Sequence, residues 1–196
     1  MKKLITILAM LLVGLMVEAQ TVKDSVYIVE TPFYIVHYSY TKEQPLHLEY
    51  QLNCIDGEVP RYSNFWTDPR WHTSDDKDYA NNPWDKGHLA PAASFNCTPE
   101  MMKLSFSYLN CALQHESLNR GVWASLEGWE RDLSVFYNVS VSIDVIFDEN
   151  CKRLGTGATV PKGFRKTIYW DGRKVTFYFP NKKLVGRDWN EFIINH

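Results

Sequence analysis

Residues 81–97 read NNPWDKGHLAPAASFNC, and the fold turns on how this run is understood. A Trp, an Asp, a Lys, a Gly and a His stand together at positions 84–88, a small-residue stretch follows, and a proline lies near either end. Helices rarely tolerate this mixture, and a plain strand has no need of it. Glycine before histidine allows close backbone approach. A neighbouring carboxylate can fix the tautomer of an imidazole, and a lysine can meet an anion. Taken alone, His88 is more often a partly buried histidine in a turn; the whole run DKGHLAPA is far less ordinary.

Outward from this run, hydrophobic patterning predicts the framework. Residues 26–41, VYIVETPFYIVHYSYT, are β-branched and aromatic with a break at Pro32, which gives two strand pieces. LHLEYQLNCI continues as a strand. Residues 56–87 are rich in Asp, Asn, Pro and Trp without a clear period, so they form a long irregular connection that leads into His88 from a loop. PEMMKLSF reads as a short helix with Thr98 as N-cap. Leu118, Val122, Leu126, Trp129, Leu133 and Phe136 repeat at helical spacing and define one long helix with a single buried stripe. VSVSIDVIF at 139–147 alternates as a strand, and KTIYW, the Asp171-Gly172 turn and KVTFYFP form a hairpin. The sum is an α+β domain with a mostly antiparallel central sheet and one dominant helix.

The first residues, MKKLITILAMLLVGLMVEAQ, combine two lysines, an apolar run and a small-residue exit at Val17-Glu18-Ala19. This is the pattern of a signal peptide over residues 1–19, leaving a single domain at 20–196 that is secreted or periplasmic. The apolar run is short for a membrane span, and no later segment is long enough for one, so no stable membrane association is expected after cleavage. An oxidising compartment permits disulfides among Cys54, Cys97, Cys111 and Cys151, in any of three complete pairings, with free thiols as the alternative. No C-x-x-C or H-x-x-x-H spacing supports a zinc site.

Charge is unevenly spread. Residues 20–150 carry nine Lys+Arg against nineteen Asp+Glu, and residues 151–196 carry ten against three. Such asymmetry suits a basic face for a polyanion with carboxylates kept for a cation, although a well-mixed folded surface fits the same counts. Lys162, Arg165, Lys166, Arg173, Lys174, Lys182 and Lys183 are candidates for a phosphate track, or equally for solvated strand edges. On the long helix, Asn119 and Glu127 sit one position beyond core residues, on a stripe shared with Trp123. They are about 12 Å apart along the axis, so both cannot contact one ion directly. By spacing alone, a helix cap and a solvated glutamate are the simpler readings.

Asp85-Lys86-Gly87-His88 resembles the Asp-Arg-Gly-His motif of the DNA/RNA non-specific endonucleases. YLNCALQHESLNRGVWASLE at 108–127 resembles the family's Asn-x-x-x-Gln and Leu-Asn-x-x-x-Trp-x-x-Leu-Glu block. VIF at 145–147, VPKGFRK at 160–166 and YFPN at 178–181 resemble its later strands. The resemblance spans about residues 45–185 and implies a ββα-metal nuclease fold with a catalytic helix. It further implies a Mg²⁺-dependent enzyme (Mn²⁺ or another divalent cation being an alternative) that hydrolyses phosphodiester bonds of DNA and RNA with little sequence preference. His88 then corresponds to the general base that activates water, with 5′-phosphate ends as products. Asn119 corresponds to the single protein ligand of the ion, Glu127 to the carboxylate that orders the ion's water shell, and Asn110 to a support of the site geometry. Lys86 stands where the family has Arg, keeping the charge and losing the bidentate fork. A further family arginine maps to Arg61 in preference to Arg70. Two other readings fit the chain. One is a catalytically weak nucleic-acid-binding relative, suggested by Lys86; the other is a structural secreted β-rich domain in which His88 and Asn119 are incidental.

Overall fold

The structure, a computed structural model, describes residues 24–54 and 56–195; the signal peptide expected at 1–19 lies outside them. Strand formation follows the alternation in the sequence. β1 (Val26–Glu30), β2 (Tyr34–Ser39) and β3 (Gln44–Leu52) form an antiparallel meander, with the break at Pro32 as expected. β4 is Trp84–His88 and β5 is Cys111–His115. β6 (Val139–Ile146), β7 (Gly163–Trp170), β8 (Arg173–Pro180) and β9 (Ile193–Asn195) complete the set among the described residues. The main sheet there has seven strands in the order β1-β2-β3-β6-β7-β8-β9, all antiparallel, while β4 and β5 pair separately as a two-stranded ribbon.

One face of the main sheet is covered. In β6 every second residue is buried, and Val141 and Ile143 meet Ile168, Phe177 and Phe179 in one core. Burying an aliphatic or aromatic side chain contributes about 1.5–3 kcal/mol, so this face dominates the stability. The hairpin between β7 and β8 turns at Asp171 (φ 47°) and Gly172 (φ 69°), the left-handed pair that a tight two-residue turn requires. α1 (Pro99–Ser105) begins as expected, with Thr98 Oγ1 accepting from Met101 N at 3.1 Å.

The expected long helix is present with a fault in it. It runs as α2 (Glu116–Leu118), a π-helical turn at Asn119–Trp123 and α3 (Ala124–Ser134), with Gly121 in non-helical backbone at φ −106°, ψ −113°. A π turn accommodates one extra residue and rotates the succeeding helical turns about the axis. Trp123, placed by spacing off the buried stripe, is therefore 1 % exposed against Phe164 and Phe179. Phe136 falls beyond the helix end and is 79 % exposed, so the stripe stops short of it. Residues 84–88, expected to end a loop, form a strand because β5 supplies a partner along their whole length.

A disulfide joins Cys54 to Cys97, while Cys111 and Cys151 are free. The bridge ties the end of β3 to the segment that precedes α1 and closes a loop with a sequence separation of 43. Cys97→Ser should lower unfolding free energy by about 2–4 kcal/mol in denaturant titration. Thiol titration should find two free thiols in the unreduced protein, with the buried Cys111 reacting only on unfolding. Four reactive thiols without reductant would contradict the pairing.

Candidate nucleic-acid cleavage site

The β4–β5 ribbon carries the candidate site residues of the Asp85–His88 run. Asp85 lies opposite Gln114, Lys86 opposite Leu113, Gly87 opposite Ala112 and His88 opposite Cys111. Gly87 is required by close approach: a Cβ there would lie 2.4 Å from Gln114 Oε1 and 2.6 Å from its Cβ. The segment after His88 is held by Asn110, which is fully buried. Its Oδ1 accepts from Ala90 N at 2.8 Å, and its Nδ2 donates to the carbonyls of Ala90 and Ser105, each at 2.8 Å.

Strand alternation sends Lys86 and His88 to one side of β4 and Asp85 to the other. On the first side, the His88 ring packs 4.8 Å from both Phe65 and Phe106, measured between centroids, and its Nε2 is buried without a hydrogen-bond partner. Burial, followed by the positive charge of Arg61, pushes the His88 pKa down from the usual 6.5 to about 3. Arg61 lies over the Phe106 ring, 5.1 Å from its centroid. Arg70, the other candidate, is bound by the Asp68 carboxylate at 2.5–3.1 Å. The Lys86 ammonium sits 5.6 Å from the Phe65 ring and 5.7 Å from the Tyr108 ring and is paired with Asp76. Tyr108 donates its hydroxyl to the same Asp76 oxygen at 2.5 Å.

On the second side, Asp85 does not touch the imidazole, contrary to the tautomer-fixing role its position suggested. It accepts from Asn119 Nδ2 at 2.9 Å and from Arg120 at 2.8 and 2.6 Å. Asn119 is not the helix N-cap either: His115 takes that place on α2, its Nδ1 accepting from Ser117 N at 3.2 Å. No hydrogen bond among the described residues joins His88 to Asn119. They are related through β4, where three residues from Asp85 to His88 span about 10 Å.

Beneath Glu127 lies a buried charge pair. Lys166 Nζ stands 2.5 Å from Glu130 Oε1 with both side chains fully buried. Tyr50 donates to Glu130 Oε2 at 2.6 Å, and the ammonium lies 4.4 Å from the Trp123 ring centroid. Burial raises the Glu127 carboxyl to about 7, with Lys166 opposing that rise. Lys166 is thereby removed from the expected phosphate track. Lys162 and Arg165 are paired with Asp148 and Asp144. Arg173 and Lys174 start β8 while Lys182 and Lys183 follow its end, so the basic residues do not form one continuous stripe. Asn181 donates to the carbonyls of Leu113 and Pro161 and accepts from His115 N, which sets Lys182 and Lys183 beside the end of β5.

The groups able to hold a cation are oxygen donors. Asp85 takes the Nδ2 end of Asn119, which leaves Oδ1 for an ion. Gln114, on the Asp85 side of the ribbon, has both amide atoms buried without a partner. Among the described residues no group of three or more His, Cys, Asp or Glu is placed to hold a metal. A carboxamide with carboxylates nearby suits a hard divalent cation that keeps most of its water. The pairing of Asp76 with Lys86, of Asp85 with Asn119, and of Glu130 with Lys166 had no signal in the sequence beyond residue type. The aromatic wall of Phe65 and Phe106 was equally hidden.

The fold is similar to that of a solved nuclease complex. A chain from the EndoG/EndoGI inhibitory complex superposes with a TM-score of 0.75 at 22 % identity, covering 85 % of this chain and 79 % of that one. The sequence matches the DNA/RNA non-specific endonuclease family over residues 16–195, and the chain belongs to that family. It is 35 % identical over 78 residues to human mitochondrial endonuclease G, a match covering 39 % of this chain and 26 % of that protein. A nuclease of Syncephalastrum racemosum is 41 % identical over 76 residues, covering 37 % of this chain and 24 % of the relative. A nuclease of Nostoc sp. is 29 % identical over 183 residues, covering 83 % of this chain and 66 % of the relative. The first two matches thus span about a quarter of those relatives.

The His88 environment has a measurable consequence for stability. Its folded pKa, about 3, lies below the unfolded value of 6.5, so the unfolded chain binds the extra proton between these pH values. Stability attributable to His88 is therefore lost as pH falls from 6.5 toward 3, at up to about 1.4 kcal/mol per pH unit. His88→Phe, which suits the aromatic wall, should flatten the acid limb of a thermal-midpoint profile relative to wild type. Parallel profiles would contradict the assignment.

Proposed function

We propose that this protein is a secreted or periplasmic endonuclease that uses a divalent cation, Mg²⁺ or Mn²⁺, to hydrolyse DNA and RNA with little sequence preference. Family membership supports the hydrolase class. The single observation that carries the mechanism is the buried, neutral imidazole of His88, whose Nε2 has no hydrogen-bond partner and which feels the charge of Arg61. A neutral imidazole can accept a proton from water. Held as low as it is in the free protein, it would be a weak base; an arriving phosphate, opposite in charge to Arg61, raises its basicity as the substrate binds.

In this reading His88 takes the proton of the attacking water, and Arg61 and Lys86 meet non-bridging phosphate oxygens. Asn110 fixes the backbone that aims His88. Asn119, oriented by Asp85, would hold the cation through Oδ1, and Glu127 would order water around it. When bound, the cation supplies neutralisation of charge on the phosphate and on the departing 3′ oxygen. The products carry 5′-phosphate ends. Contacts confined to the phosphate backbone read no base sequence, which accounts for broad specificity.

Digestion of supercoiled DNA and of RNA by the mature protein, with Mg²⁺ and with chelator, is the primary test. Cleavage should vanish with chelator, and His88→Ala should lose at least about 100-fold in kcat while retaining binding. Full activity of His88→Ala would remove the base assignment, and binding without nicking by wild type would favour a non-catalytic relative. Asn119→Ala should lower the rate and shift the Mg²⁺ titration to higher concentration; an unchanged titration would count against its role as ligand. The pH profiles give an independent check. The acid limb of kcat/KM reports the free enzyme and should lie well below pH 6.5, while that of kcat should lie higher because bound phosphate raises the His88 pKa. Coincident limbs near the ordinary histidine value would contradict this environment.

A further inference from the structure

Lys86 is engaged before any substrate arrives. Its ammonium, on the same side of β4 as His88, is paired with the Asp76 carboxylate. Asp76 is itself held by the Tyr108 hydroxyl at 2.5 Å, and the hydrogen bonds from Lys86 and Tyr108 keep its carboxyl below the usual range, so it stays ionised. Tyr108 and Phe65 flank the ammonium, and Phe65 also forms the wall of His88. An anion is thus already bound at the cation nearest to His88 along the strand. Of the two basic residues on this side, it is Arg61 whose positive charge registers at the imidazole. The Asp76 side chain is 76 % exposed, so it is anchored by these polar contacts and not by core packing.

We propose that Asp76 is a specificity-determining residue: an internal carboxylate that occupies the phosphate position on Lys86 and must be displaced by the nucleic-acid backbone. The inference rests on the nuclease reading above and deepens it. A carboxylate and a phosphodiester each carry one negative charge and compete for one ammonium. Lysine, a point charge without the two-pronged guanidinium, can satisfy only one of them well. The exposed pair is weak enough to be exchanged. Asp76 therefore sets a threshold on affinity: substrates presenting several phosphates displace it more readily than short ones, because neighbouring contacts hold the backbone in place. The cost falls on binding, since the reacting atoms are not touched by Asp76.

Asp76→Asn tests this, because the amide keeps the shape and an oxygen for Tyr108 while losing the charge. Binding to a duplex of about 20 nucleotides in chelator should tighten roughly three- to fivefold at low salt. The slope of log K against log salt should steepen by up to about one as Lys86 becomes free for a phosphate. KM should fall with kcat unchanged. In a Lys86→Ala background, Asp76→Asn should lose most of this gain, and Asp76→Ser should repeat the single-variant result. Unchanged affinity and salt slope in Asp76→Asn and Asp76→Ser, with wild type cleaving normally, would overturn the competition alone. A fall in kcat at constant KM would overturn it in favour of Asp76 as a support for Lys86. A wild-type protein that neither binds nor cleaves nucleic acid would overturn the nuclease reading together with it.

Discussion

The carboxamide of Asn110 is the contact on which the placement of the chain around His88 depends. It lies directly before β5 and grips both backbone groups of Ala90, two residues past His88, as well as the carbonyl at the end of α1. Two chain segments are thereby fixed to one buried side chain through three backbone groups, and buried backbone groups need such partners. A carboxamide alone has the donors and the acceptor for this at one point; a carboxylate could not donate and a hydroxyl could not reach all three. With the exit of β4 held this way, the His88 ring has no freedom to leave the wall of Phe65 and Phe106. Its lowered basicity is a direct result of that confinement.

Buried charge plays a different part under the helix. Lys166 comes from β7 and Glu130 from α3, so their pairing ties the helix to the sheet at a defined rotation. Such a pair contributes little net stability, because removing two charges from water costs about as much as their attraction returns. It does penalise any other helix register, since a shifted helix would leave both charges unpaired. Tyr50, donating to the second Glu130 oxygen, extends the same constraint to β3. The π turn at Asn119–Trp123 then reconciles two demands: Trp123 enters the core and Asn119 remains with Asp85 at the ribbon.

Much of the framework is legible in local chemistry alone. The two pieces of residues 26–41, the alternation of 139–147, the Thr98 cap and the Asp171-Gly172 turn each depend on neighbours along the chain, and each appears where expected. The same kind of reasoning fails at residues 84–88, where no alternation marks a strand, because the partner that makes it one lies more than twenty residues further on. It fails again at Trp123 and Phe136, where a helical stripe drawn at constant period ignores the extra residue of a π turn and the helix end. Lys166 resembles a surface cation because its neighbours in sequence are basic; its environment is set by Glu130, Tyr50 and Trp123, all from other elements.

The sequence by itself determined the class of fold and the family resemblance, and it nominated the candidate site residues. These come from periodicity, residue type and ordered motifs, which are properties of neighbours along the chain. Only the tertiary structure decided who partners whom: Asp85 with Asn119 instead of His88, Asp76 with Lys86, and Cys54 with Cys97. Charge interactions and burial act through space over a few ångströms, and distances of that kind are set by how strands and helices pack, which no spacing along the chain records.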